Sequence, residues 1–259
     1  MRHLRELYCH RELLWVWTWR EIRVRYKQSV LGVAWAVMQP LSLMLVFTVV
    51  FSFIVRIPTG DIPYPLFSYT AVLPWTFFAS SVALGVPSLV NNMNLVTKVS
   101  MPREVLPIAA VLAGLLDFAV AALLFAGMLF VYRVTLHWTV LWAVPLLGIQ
   151  LILSLAVVLW GSALNVLYRD IRFIVPLATQ LWMYATPIIY PVDLIPERFR
   201  FVYYLNPMAA VIDGYRKAIL SGSPPDSLSV GVALVVSVVL LVLAYKNFKR
   251  LEPEFADII

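Results

Sequence analysis

RYKQSVLGVAWAVMQP, residues 25–40, decides the fold, because two basic residues lead within a few positions into an apolar run that does not stop. From Leu31 to Val55 every residue is apolar or glycine except Gln39, Ser42, Thr48 and Ser52. About 20 such residues in a helix cross a hydrocarbon core about 30 Å thick. Arg20, Arg23, Arg25 and Lys27 hold the preceding end at an anionic leaflet, so the chain is expected to enter the bilayer from the cytoplasmic side.

Composition extends that reading to the whole chain. Hydrophobic residues make up 62% of 259 and charged ones 13%, a balance suited to several membrane spans rather than to one soluble core. Six apolar windows fall near 33–55, 66–90, 107–132, 139–167, 174–190 and 227–245. The expectation is an all-α, six-span membrane protein forming a single transmembrane domain over 1–259. Its parts are a cytoplasmic helical segment in 1–31, spans one to five in 32–190, an outer region at 191–226, and span six with a tail at 227–259. No cleavable signal sequence is evident, since the first apolar run begins late and continues too far. Cys9, the single cysteine, cannot form an intrachain disulfide.

The formal charge of +6 is distributed for orientation, not for nucleic acid. With the N-terminus inside, fourteen Lys and Arg residues are cytoplasmic and six are outside, and six spans return the C-terminus to the cytoplasm. Residues 4–27 have helical periodicity: Leu4, Leu7, Tyr8, Leu14, Trp15, Trp19, Ile22 and Tyr26 share one side, interrupted by Arg11 and Arg25. A helix lying at the lipid surface with snorkelling cations fits this pattern, as a topology anchor or as a docking surface for a soluble partner.

The inner connection NNMNLVTKVSMPREVL at 91–106 carries Lys98, Arg103 and Glu104; it suits contact with a cytosolic subunit, or serves as a solvated linker. The outer connection after Pro191 mixes apolar stretches with Pro196, Pro207, Asn206 and charge, and neither half is long enough to span. Two short re-entrant helices between spans five and six suit it, with an ordinary surface loop as the other reading. Asp117 and Gln150 are expected at similar depth in spans three and four, where structural pairing between antiparallel neighbours accounts for them better than proton transport does.

No glycine is followed by lysine, so the chain has no phosphate-binding GxxxxGK[ST] loop and no ATPase site of its own is expected. His3, His10 and His137 lack the spacing of a metal site and read as surface residues. An embedded sugar transferase would need paired acids at the interface; Asp170, Asp193, Glu197 and Asp213 form no such pattern.

Three tracts resemble the permease subunit of type-2 ATP-binding-cassette exporters, in the branch that exports O-antigen, capsule or teichoic-acid polymers: RYKQSVLGVAWAVMQPL at 25–41, YRDIRFIVPLATQLWMYATPIIYP at 168–191 and NPMAAVIDGYR at 206–216. The resemblance implies a homodimer in a bacterial inner membrane, with a channel at its two-fold interface. Two copies of a cytosolic ATPase would bind the ATP and Mg, and this chain would hold no cofactor. The 4–27 segment then resembles an interface helix, with Lys98, Arg103 and Glu104 in the coupling region. Trp35, Phe47, Phe51, Trp182, Tyr184 and Tyr190 become expected channel contacts. Arg20, Arg23, Arg25 and Lys27 become an entrance for the diphosphate of an undecaprenyl-linked polysaccharide. Within the class, a drug or small-lipid exporter shares the same plan.

Overall fold

The computed structural model describes residues 10–27, 29–93 and 101–255. Among these the fold is all-helical, without strands. In chain order the helices are α1 (Arg11–Tyr26), α2 (Trp35–Phe47), α3 (Tyr64–Gly85), α4 (Ser88–Asn91), α5 (Val105–Val131), α6 (Ala143–Leu167), α7 (Ile171–Tyr184), α8 (Glu197–Tyr204), α9 (Pro207–Ile219) and α10 (Ser227–Leu251). A 3-10 turn at Gly32–Ala34 leads into α2, and Thr48–Ile54 continues it with wider, π-type winding.

Among the described residues five helical stretches are long and apolar enough to cross a membrane: Gly32–Ile54, Tyr64–Gly85, Val105–Val131, Trp138–Leu167 and Ser227–Glu254. The window expected at 174–190 becomes the 14-residue helix α7, about 21 Å long, followed by a turn through 185–190. Proline explains the early stop, because Pro187 disfavours helical backbone at the residue before it.

α3 stands at the centre of the bundle, against α2, α5, α6, α7 and α9. Its buried residues run along nearly its whole length, from Tyr64 to Gly85, on every face. A helix apolar all round can be covered by lipid or by protein, and here other helices of the same chain cover most of it. Close approach is supported by small residues: a Cβ on Gly85 would lie 2.4 Å from Val158 Cγ1 on α6, and one on Gly161 would lie 2.7 Å from Val86 Cγ2. At the turn before α10, Gly222 has φ +62° and the exposed His137 ring where a side chain would go.

The side of α1 expected to face lipid is divided, with Leu14, Ile22 and Tyr26 half-buried. Trp15 and Trp19 are exposed, whereas Trp17 and Thr18 are buried, with Leu14, Glu21 and Arg25 half-buried along the same stripe. The helix packs along α5 and leaves Trp15 and Trp19 outward. Electrostatics tie the helix to α5: Arg25 and the Tyr26 hydroxyl both bond to the Asp117 carboxylate, and a carboxylate inside an apolar helix is costly without such partners. Asp117 therefore does not pair with Gln150. Gln150 Nε2 donates to the Pro74 carbonyl on α3 at 2.6 Å.

The residues expected to form an open surface next to the 91–106 connection are tied into the fold. Glu104 is fully buried and accepts from Lys249 Nζ at 2.7 Å and Tyr245 Oη at 3.3 Å, both on α10. Arg103 donates to the Glu252 carbonyl and lies 5.9 Å from the centre of the Phe255 ring. Lys98, together with His3 and Cys9, falls outside the described residues.

Candidate functional site

A cavity of about 380 Å³ opens between α1, α2, α3 and α5. Its walls include Arg25, Tyr26, Trp35, Gln39, Thr76, Ser80 and Asp117. Two further hollows adjoin it. One of about 550 Å³ runs along α2 past Trp35, Gln39, Ser42 and Thr76; the other, of about 290 Å³, lies between α2, α3 and α7 past Gln39, Ser80, Thr179 and Gln180. Because Gln39 lines all three and Trp35, Thr76 and Ser80 each line two, the hollows form one continuous groove with polar groups along an apolar wall.

α7 forms one bank of that groove and contributes no buried residue to its own protomer. Phe173, Leu177, Leu181 and Tyr184 lie on one side at helical spacing and are all exposed. Of the expected channel aromatics, Trp35 and Tyr184 are more than half exposed. Phe47 is buried in the core, with the partly buried Phe51 edge-on at 5.9 Å. Trp182 packs edge-on against Phe78 at 5.0 Å, and its indole N–H donates to Asn206 Oδ1 at 2.9 Å. Tyr190 shares a 2.9 Å hydrogen bond with Tyr203. The expected entrance cations also divide: Arg20, Arg23 and Lys27 are exposed, Arg20 with its guanidinium 4.4 Å from the centre of the Trp17 ring, while Arg25 is committed to Asp117.

At the opposite end, the second and third sequence tracts interlock. Asn206 accepts from Trp182 Nε1 and from the Met208 amide, capping α9, and donates to Thr186 Oγ1 and the Ala185 carbonyl, which uses its whole hydrogen-bonding capacity. Arg216 is buried and donates to the carbonyls of Phe67, Pro187, Ile188 and Tyr190, with its guanidinium 3.6 Å from the Phe67 ring centre. Burial pushes the Arg216 guanidinium down to about 9, against the opposing pull of Asp213. Beside it, Lys217 pairs with Asp213 at 2.9 Å. Basic-residue counting had placed Arg216 among loop charges. Its position in the apolar run of α9 was the available signal that it is an internal clamp.

The sequence profile of the ABC-2 type transporter family matches residues 12–220, from the start of α1 through the end of α9. The chain belongs to the ABC-2 type transporter family. Among its relatives, the O-antigen export system permease protein RfbA of Myxococcus xanthus is 35% identical over 262 aligned positions, covering 99% of both chains. A protein of the same name from Klebsiella pneumoniae is 32% identical, covering 96% of this chain and 95% of its own. The polysialic acid transport protein KpsM of Escherichia coli is 23% identical, covering 90% and 91%. The ABC-2 match takes in all three tracts and each anchor described above: Arg25–Asp117, Asn206 and Arg216. As a member of this family the chain is a multi-pass membrane protein.

Proposed function

We propose that this chain is the membrane-spanning subunit of an ATP-driven exporter of a cell-surface polysaccharide, built as a homodimer and driven by two copies of a separate cytosolic ATPase that bind ATP and Mg. The observation that carries the reading is the groove of α2, α3 and α7, apolar and aromatic with scattered polar groups, whose α7 bank is uncovered in one protomer. A second copy placed there closes the groove into a conduit. The end-to-end similarity to O-antigen permeases supports polysaccharide as the cargo.

In this reading α7 and the turn to 190 make the fifth of six spans, and α8 and α9 are the re-entrant pair at the outer face. Both termini then lie in the cytoplasm of a bacterium, the fourteen-to-six division of basic residues setting the orientation. Arg20, Arg23 and Lys27, all exposed, would meet the diphosphate of an undecaprenyl-linked glycan, Arg20 giving up its contacts with Glu21 and Asn92 to do so. Contact with the ATPase uses α1 and the 91–106 connection, within which Arg103 and Glu104 are themselves engaged with the Glu252 carbonyl, α10 and Phe255.

The test is complementation of a strain lacking its own O-antigen permease, with the ATPase subunit coexpressed and surface polysaccharide read by gel. Polymer display is expected. A Trp35→Leu, Tyr184→Leu double variant should lower it more than either single change, each ring contributing about 0.5–1.5 kcal/mol of stacking. Absence of polymer with the protein correctly inserted would sink the reading.

A further inference from the structure

Gln39 lies eight residues into the Gly32–Ile54 stretch, exposed, and makes no hydrogen bond among the described residues. A primary amide has two donors and an accepting oxygen, and leaving them unmatched within an apolar span is costly. Its neighbours supply what such a group would share with a ligand. Thr76 and Ser80 on α3 turn their hydroxyl hydrogens back to the Leu73 and Phe77 carbonyls at 3.0 and 3.2 Å, which leaves their oxygens able to accept. Trp35 and Phe77 add aromatic walls.

Charge narrows the class of ligand. Arg25 and Asp117 form an ion pair at the cavity wall, each side chain 19% exposed. An anion entering the cavity meets the carboxylate and a cation meets the guanidinium, so the balanced pair favours a neutral molecule with many hydroxyls. An apolar molecule would strand the polar groups. The volume of about 380 Å³ falls at the small end of ligand pockets, which run to roughly 300–1,000 Å³.

We propose that this cavity is a binding subsite for an uncharged sugar ring of the exported glycan. Gln39 is its central polar contact, Thr76 and Ser80 accept from sugar hydroxyls, and Trp35 stacks on the ring. The proposal rests on the exporter reading above and adds to it a place where individual residues of the polymer are held beside the wider groove.

The test uses the complex of this chain with its ATPase, carrying Ser80→Cys in a Cys9→Ser background, and measures the rate of maleimide labelling. Two probes are added separately: the host polysaccharide released from its lipid by mild acid, and inorganic pyrophosphate. The polysaccharide should slow labelling about fivefold at about four times its Kd, as simple site occupancy requires. Gln39→Ala should remove that protection. Gln39→Met, of similar length and apolar, serves the same purpose should the alanine variant fail to insert. Unchanged labelling in a complex that still exports polymer would overturn the subsite while leaving the exporter reading intact. Protection by pyrophosphate alone, or protection that survives loss of the Gln39 amide, would also overturn it. Failure of the unmodified chain to export polymer would count against the exporter reading itself.

Discussion

α3 and α7 are both apolar helices with an internal proline, Pro74 in one and Pro176 in the other, yet the protomer treats them oppositely. α3 is buried along most of its length apart from the groove side and the exposed Ala83 and Leu84; α7 has no buried residue and touches the core only through the partly buried Ile171, Val175, Trp182 and Met183. At its C-terminal end, Asn206 and Arg216 from α9 grip Trp182 and the 185–190 turn. Burial in a membrane protein is satisfied by packing and by internal hydrogen bonds, because lipid already solvates apolar side chains. α3 therefore gains its stability from neighbours within the chain, and α7 keeps a bare aliphatic and aromatic stripe for something outside it.

That contrast can be broken by substitution. Phe78→Ala on α3 removes a fully buried ring in contact with Trp75 and Trp182, and should cost about 3–5 kcal/mol, seen as a large fall in thermal stability of the purified protein. A loss under about 1 kcal/mol would show that α3 is not the post of the bundle. Asn206→Ala should have a smaller effect, about 1–2 kcal/mol, from the lost cap of α9 and the lost tie to Trp182. Asn206→Asp keeps the accepting oxygen and should recover part of that loss. The smallest effect on the single chain is expected for Leu177→Ala with Leu181→Ala. Both side chains are exposed, so unfolding should shift by no more than about 0.5 kcal/mol. Crosslinking between copies in the membrane should nevertheless fall. Unchanged crosslinking would mean that lipid, rather than a second copy, covers α7.

The two ends of the chain show how much was legible before any fold was known. Leu31 to Val55 announced a membrane span by length and apolarity alone, and the structure contains it as Gly32–Ile54. Such segments are readable because their helicity is enforced by the solvent: in hydrocarbon the backbone must satisfy its own hydrogen bonds. α1 was legible as a helix but not in its partner. Its periodicity placed Trp15, Trp19 and Tyr26 together, but the partner that Arg25 and Tyr26 take, Asp117, lies about 90 residues away and was not visible locally. Glu104 and Arg103 read as loop charges, although their partners lie on or just after α10, where no local pattern could reveal them.

The sequence by itself determined an all-helical membrane protein, the positions of its apolar stretches and three tracts shared with a transporter family. These follow from solvent chemistry and local spacing, which act on each segment separately. Only the tertiary structure decided that Arg25 closes on Asp117 and Arg216 clamps the turn after α7. It alone gathered Gln39, Thr76 and Ser80 around one cavity and left α7 uncovered. A polar group in an apolar environment takes its partner from whatever the packing of helices brings within about 3 Å, and that distance is set by the whole bundle.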